Sequence, residues 1–160
     1  MSESKENVNA LLHEAMESER KAMEFYKNAS SKAKSHVGKQ FFNELAEFEH
    51  NHYQKVKHII ELHKEGLSIE ITSKEQPIPS IGPEVKGEIE SNCDEIVDVI
   101  HLAIESEKSA QHRYIQIANM FDDKGAKHIF NTLATDEKNH QKILEDKFYH
   151  LSNKGTIIWE

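Results

Sequence analysis

The sequence predicts an all-α protein: a four-helix bundle of two repeated helical hairpins joined by a long crossover. Three observations predict it. Glu49 and His52 form a Glu-x-x-His pattern that returns 88 residues later as Glu137 and His140. The same separation aligns Ala15-Met16-Glu17-Ser18-Glu19 with Ala103-Ile104-Glu105-Ser106-Glu107, and Tyr26 with Tyr114, without a gap. Gly and Pro number only 6 and 3 in 160 residues, which suits long helices, since their interiors tolerate little of either. An internal repeat of two copies with a long connection reads as a pseudo-two-fold bundle and not as a solenoid.

The first helix is expected over about 4–33. Val8, Leu12, Ala15, Glu19, Ala22, Tyr26 and Ala29 recur at steps of four and three, the inward stripe of a packed helix. Glu19 falls on that stripe and Glu17 does not. A turn follows near Ser35-His36-Val37-Gly38, and the second helix is expected over about 38–65. Its seam is Phe42, Leu45, Glu49, His52, Val56 and Ile59, and Gly66 is a natural C-terminal stop. Residues level with each other in an antiparallel hairpin are equidistant from its turn. The midpoint of Glu19 and Glu49 falls at residue 34, so the two carboxylates should face each other.

Residues 66–92 form the crossover, with a short extended piece at Ile69-Glu70-Ile71 and helix breakers at Pro77, Pro79, Gly82, Pro83 and Gly87. A connection this long is explained if helices two and three are parallel, because the chain must then return along a helix of roughly 45 Å. The third helix begins near Asn92 or Asp94, with a seam of Ile100, Ala103, Glu107, Ala110, Tyr114, Ile117 and Phe121. A turn at Asp122-Asp123-Lys124-Gly125 matches the midpoint of Glu107 and Glu137. The fourth helix runs to about residue 151, with Phe130, Leu133, Glu137, His140 and Leu144 inward. The hairpins thus span about 4–65 and 93–151 of a single domain, 1–160. The apolar end of the tail, Ile157-Ile158-Trp159, is expected to pack on the bundle or on another subunit.

Composition excludes several functions. A net charge of −8 argues against nucleic acid and against anionic membranes. No run approaches the ~20 apolar residues of a membrane-spanning helix, and the polar N-terminus has no signal-peptide core, so a cytoplasmic protein is expected. A single Cys93 provides neither a disulfide framework nor a cysteine metal knuckle; it reads as a small, partly buried residue at a helix start. Most of the 11 histidines have no partner at repeating ligand spacing, and His13, His36, His50, His58, His63 and His150 read as surface or helix-end residues. His112 is a candidate to support the site described next.

Glu19, Glu49, His52, Glu107, Glu137 and His140 all fall in apolar seams. An isolated buried carboxylate costs several kcal/mol or takes up a proton, and four together repel one another. No Lys or Arg shares a seam position at that level. Two divalent cations would neutralise the four carboxylates and leave the imidazoles neutral. Oxygen ligands mixed with two histidines suit iron or manganese, and zinc less specifically. A lone glutamate on a helix reads as a solvated side chain; the repetition of the whole constellation is what favours metal. Tyr26 and Tyr114, seven residues after Glu19 and Glu107, are either core aromatics or hydroxyl donors to ligating carboxylates, and the second reading is favoured.

A Glu-x-x-Ala-x-x-x-Tyr helix followed by a Glu-x-x-His helix, both repeated, resembles the rubrerythrin branch of the ferritin-like diiron-carboxylate proteins. The matching residues are Glu19, Ala22, Tyr26, Glu49 and His52, then Glu107, Ala110, Tyr114, Glu137 and His140. The resemblance implies that Glu49 and Glu137 bridge two irons, that Glu19 with His52 completes one, and that Glu107 with His140 completes the other. It implies reduction of hydrogen peroxide or dioxygen, or ferroxidase and iron-handling activity as the alternative; a bundle merely stabilised by its ions is a third possibility. One cysteine cannot supply the rubredoxin domain of full-length rubrerythrins, so electrons are expected from an external donor such as a rubredoxin. Rubrerythrins proper also carry a further glutamate one turn after the third-helix ligand, where this chain has Ala110. Only a short tail follows helix four, where cage-forming ferritins have a fifth helix. A homodimer is expected, and the long crossover would allow hairpins to be exchanged between its chains.

Overall fold

The computed structural model describes residues 2–66, 88–91, 93–154 and 157–159. Four helices carry the architecture: α1 (Ser2–Lys32), α2 (His36–Lys64), α3 (Cys93–Met120) and α4 (Lys124–Lys154). The bounds lie within a few residues of those expected from periodicity. Cys93 is half-buried at the first residue of α3.

Local chemistry sets the turns. Ser35 caps α2, its Oγ accepting the Gly38 N–H at 2.9 Å. Gly66 takes a positive φ of 72° just past α2, a conformation glycine adopts without strain. Gly125 was expected in the second turn but lies in the first turn of α4. Asp123 accepts its N–H at 3.0 Å and starts the helix earlier.

Each hairpin is antiparallel, and α1 packs on α3. Tyr26 reaches Glu107 while Glu19 is reached by Tyr114, so numbering rises along α1 as it falls along α3. Those helices are therefore antiparallel, which makes α2 and α3 parallel. This is the geometry that requires a crossover of the bundle's length. Most of that crossover, including the extended piece expected at residues 69–71, lies outside the described residues.

Two apolar clusters fill the bundle, one on each side of the Glu/His layer. The first gathers Tyr26, Phe41, Phe42, Leu45, Ile96 and Ile100 near the α1–α2 turn. The second gathers Leu12, Val56, Tyr114, Ile117, Phe130 and Leu133 near the α3–α4 turn. Burial of these side chains is the main source of stability, at about 1.5–3 kcal/mol for each large one.

The structure adds a two-stranded antiparallel sheet. Strand β1 (Glu88–Glu90) pairs with β2 (Ile157–Trp159), with Ile89 opposite Ile158. The tail thus meets the end of the crossover through backbone pairing, besides its contacts with α4. No helix among the described residues is long and apolar enough to cross a membrane.

Candidate metal centre

The 3–4 spacing of the seams brings Glu19, Glu49, His52, Glu107, Glu137 and His140 into one layer, each at most 3% exposed. The neighbouring Glu17 lies on the surface, paired with Arg20. The six residues form two groups of four, Glu19-Glu49-His52-Glu137 and Glu49-Glu107-Glu137-His140, each offering ligand atoms within 4.8 Å of one another. Glu49 and Glu137 belong to both groups, as bridging residues would.

His52 Nδ1 lies 2.6 Å from Glu137 Oε1, 3.6 Å from Glu49 Oε2 and 3.8 Å from Glu19 Oε2. His140 Nδ1 lies 3.5 Å from Glu49 Oε1, 3.8 Å from Glu107 Oε1 and 4.0 Å from Glu137 Oε2. Each imidazole nitrogen therefore faces three carboxylates from three helices.

Whether a metal fits can be judged from the polar atoms left over. One buried atom of each residue makes no hydrogen bond of proper geometry, the close His52–Glu137 contact included: Glu19 Oε2, Glu49 Oε1, His52 Nδ1, Glu107 Oε2, Glu137 Oε1 and His140 Nδ1. Buried polar atoms rarely go unpaired. Six in one layer, all oxygen or imidazole nitrogen, form a donor set suited to first-row divalent ions. The residues fit two such ions.

The tyrosines are hydrogen-bond donors to this layer, and each reaches across the bundle. Tyr26 donates to Glu107 Oε1 at 2.5 Å, and Tyr114 donates to Glu19 Oε1. Each of these glutamates has one oxygen fixed by a phenol and one left bare. Burial, then the charge of Glu107, raises the Tyr26 hydroxyl well above its usual value; burial, then Glu19, does the same for Tyr114. Both stay protonated and able to donate.

Without ions the cluster retains protons. Burial, then the charges of Glu49 and Glu19, raises Glu137 to about 8. Burial and neighbouring carboxylates also raise Glu19 and Glu107 well above the usual carboxylate range. Burial alone would raise Glu49 too, but Glu19, His140 and His52 around it hold it low. Burial would lower both histidines, yet the surrounding carboxylates raise them. Metal ligands must shed such protons, so ions and protons compete for the same atoms.

Sequence reasoning missed Asp136. It is buried, and its Oδ2 lies 3.0 Å from His52 Nε2. A carboxylate there accepts a hydrogen from Nε2 and leaves Nδ1 directed at the cluster. Its spacing, three after Leu133 and four before His140, carried the signal. It had no match in the first hairpin, where Phe48 occupies the equivalent position. His112, by contrast, is exposed, as are His101 and His128, and none joins the layer.

A cleft of ≈ 350 Å³ between α1 and α3 reaches this layer. It is lined by all four carboxylates and by neither histidine. Ala22 and Ala110 form its walls with Phe25 and Leu102, and Lys21 and Arg113 also line it.

A family model described as rubrerythrin matches residues 10–148. No curated protein matches the chain. A solved structure of a hypothetical protein from Pyrococcus furiosus is similar at a TM-score of 0.72 and 28% identity, covering 91% of this chain and 90% of that one. The fold is a ferritin-like four-helix bundle.

Proposed function

The chain belongs to the rubrerythrin family, and on that premise we propose that it is a non-haem diiron redox protein, reducing hydrogen peroxide or dioxygen with electrons from an external donor protein. The α1–α3 cleft carries the reading. A metal site that only braces a fold is closed, whereas one that does chemistry keeps a position open. Here a small molecule can approach past Ala22 and Ala110 to the face where all four carboxylates lie.

Glu49 and Glu137 would bridge the ions, with Glu19 and His52 on one and Glu107 and His140 on the other. Two ferrous ions would supply Lewis acidity and the two electrons that splitting an O–O bond requires. The protein's own groups prepare the site. Tyr26 and Tyr114 fix the outer oxygens of Glu107 and Glu19, and Asp136 orients His52. The apolar clusters above and below exclude water from the layer. Reduction of peroxide to two waters consumes two protons, which reach the cluster through the cleft. Manganese or zinc could occupy the same donors, but zinc would supply no electrons. The reading places the protein in the cytoplasm as a homodimer, served by a donor such as a rubredoxin.

Ferroxidase or iron handling is the second reading. The matched alanines Ala22 and Ala110 favour it, because they make the two halves of the centre alike where rubrerythrins proper carry an extra glutamate. Anaerobic reconstitution with Fe²⁺, beside a Glu49→Ala/Glu137→Ala variant, tests both. About two irons per chain are expected, lost in the variant and oxidised rapidly by added peroxide. Iron uptake well beyond two per chain would favour the ferroxidase. Equal iron in the variant, or no tight iron at all, would refute the diiron reading.

A further inference from the structure

The internal repeat invites comparison of the two halves of the centre, residue against residue. Most of the layer is matched: Glu19 with Glu107, Glu49 with Glu137, His52 with His140, Tyr26 with Tyr114. The tyrosine contacts are matched as well, each phenol donating to the glutamate of the opposite hairpin.

The match fails behind the histidines. His52 Nε2 is 3.0 Å from Asp136 Oδ2, and both side chains are fully buried. The residue equivalent to Asp136 in the first hairpin is Phe48. It stacks on His140 with ring centroids 5.3 Å apart and an interplanar angle of 27°. A phenyl ring packs against an imidazole but accepts no N–H hydrogen bond of comparable strength. It neither fixes which nitrogen is bare nor places a negative charge behind the ring.

The ligand distances differ in the same sense. His52 Nδ1 approaches the bridging carboxylate of the opposite hairpin to 2.6 Å, while His140 Nδ1 stays 3.5 Å from its equivalent. To the carboxylate on its own helix His52 stands at 3.6 Å and His140 at 4.0 Å. The short contact of His52 Nδ1 with Glu137 is an imidazole–carboxylate pair, so the hydrogen bond to Asp136 is the observation that makes the His52 half the better prepared.

We propose that the two metal positions are unequal, and that the one built on Glu19 and His52 holds its ion more tightly because Asp136 positions His52, where Phe48 leaves His140 without such support. The proposal rests on the metal reading above. Partners behind a ligating histidine change metal affinity by about 10–100-fold, which sets the expected difference. The centre therefore passes through a one-ion state in which the His52 position is filled.

Two identical positions that repel each other would also titrate in two steps, so the test isolates each position. Co²⁺ binding is followed by calorimetry and visible absorption on the full chain. Glu107→Ala removes a ligand of the His140 position, and Glu19→Ala removes a ligand of the His52 position. The Glu107→Ala protein is expected to bind its remaining ion about 10–100-fold more tightly than the Glu19→Ala protein. Asp136→Asn, which keeps size and shape, should weaken binding in the Glu107→Ala background and hardly in the other. Phe48→Asp should tighten binding in the Glu19→Ala background, a gain that a merely structural role for this position would not give. Equal affinities in the two single-position proteins, or a tighter Glu19→Ala protein, would overturn the proposal. Failure of wild type to bind any Co²⁺ would overturn the metal reading beneath it, a different result from equal positions.

Discussion

The Tyr26 hydroxyl on α1 donates to Glu107 Oε1 on α3 at 2.5 Å, tying one hairpin to the other within the buried carboxylate layer. Both side chains are almost wholly buried. Tyr26→Phe is expected to destabilise the metal-free protein by about 1–3 kcal/mol, the range for leaving a buried acceptor unpaired. Tyr114→Phe, which removes the matching bond to Glu19, should cost about the same. Urea unfolding of the two variants checks this. A loss below ~0.3 kcal/mol in both would mean that the phenols act only as core aromatics.

Metal removal should make stability fall as pH rises. Burial, then Glu49 and Glu19, keeps the Glu137 proton until about pH 8, against a starting value of 4.5. Between those values the folded metal-free protein binds more protons than the unfolded chain, so its stability falls as pH rises. Glu19 and Glu107, also raised, act in the same direction. So do His52 and His140, whose contribution is complete below 6.5 and lost above it. Glu49 is held low, so its contribution is complete above 4.5 and is lost only as pH falls below that value toward its lowered one, outside this range. Each proton of difference changes stability by about 1.4 kcal/mol per pH unit. Thermal melts from pH 5 to 8 should therefore show Tm falling for chelator-treated protein. With metal bound the fall should vanish, because ligands that have shed their protons bind better as pH rises. A metal-free Tm that climbs over this range would contradict the assignment of these shifts.

The parts of the centre legible in the sequence were those governed by helical phase. Steps of three and four separated Glu19 from Glu17, and the structure buries the first and exposes the second. The same periodicity, with turn midpoints, set four helices and the level of their glutamates. What it could not give was which residue meets which across the bundle. Tyr26 lies on the same helix as Glu19 yet bonds to Glu107, because α1 and α3 run antiparallel and the phenol spans the gap between them. Asp136 was hidden because a search for repeated residues discards a position filled by Asp in one half and Phe in the other. The pairing of residues 157–159 with 88–90 joins segments nearly 70 residues apart and left no local trace.

Access through the α1–α3 cleft can be separated from metal holding. Ala110 lines that cleft and is half-buried, so a ring at this position would fill the space above the carboxylates. Ala110→Phe is expected to retain its metal while slowing oxidation of the ferrous protein by peroxide at least ~10-fold, equivalent to ~1.4 kcal/mol of barrier. Stopped-flow absorbance and metal analysis of the same sample supply both numbers. Wild-type rates in a variant that still carries two ions would show that the oxidant enters by another route.

Glycine 38 provides a case in which local preference and packing disagree about the sign of a mutation. It lies in the first turn of α2, and alanine is favoured over glycine in helix interiors by about 1 kcal/mol. Propensity alone therefore predicts that Gly38→Ala stabilises. But a Cβ at this position would lie 2.6 Å from Glu90 Oε1 and 2.8 Å from Ser35 Oγ. Those two atoms cannot easily retreat. Glu90, almost fully buried, accepts the Lys34 N–H at 2.9 Å and the Ser35 hydroxyl at 2.9 Å. Ser35 in turn caps α2 through the Gly38 N–H. A methyl group would push the carboxylate out of this network and break the cap, which costs about 1 kcal/mol by itself, with unpaired buried groups adding roughly 1–3 kcal/mol. Gly38→Ala should therefore lower the urea midpoint, and Glu90→Ala should lower it by a similar amount, since both undo the same bonds. In the double variant the losses should be less than additive. A rise in the midpoint for Gly38→Ala would show that the α1–α2 turn can relax, and that Glu90 does not hold it.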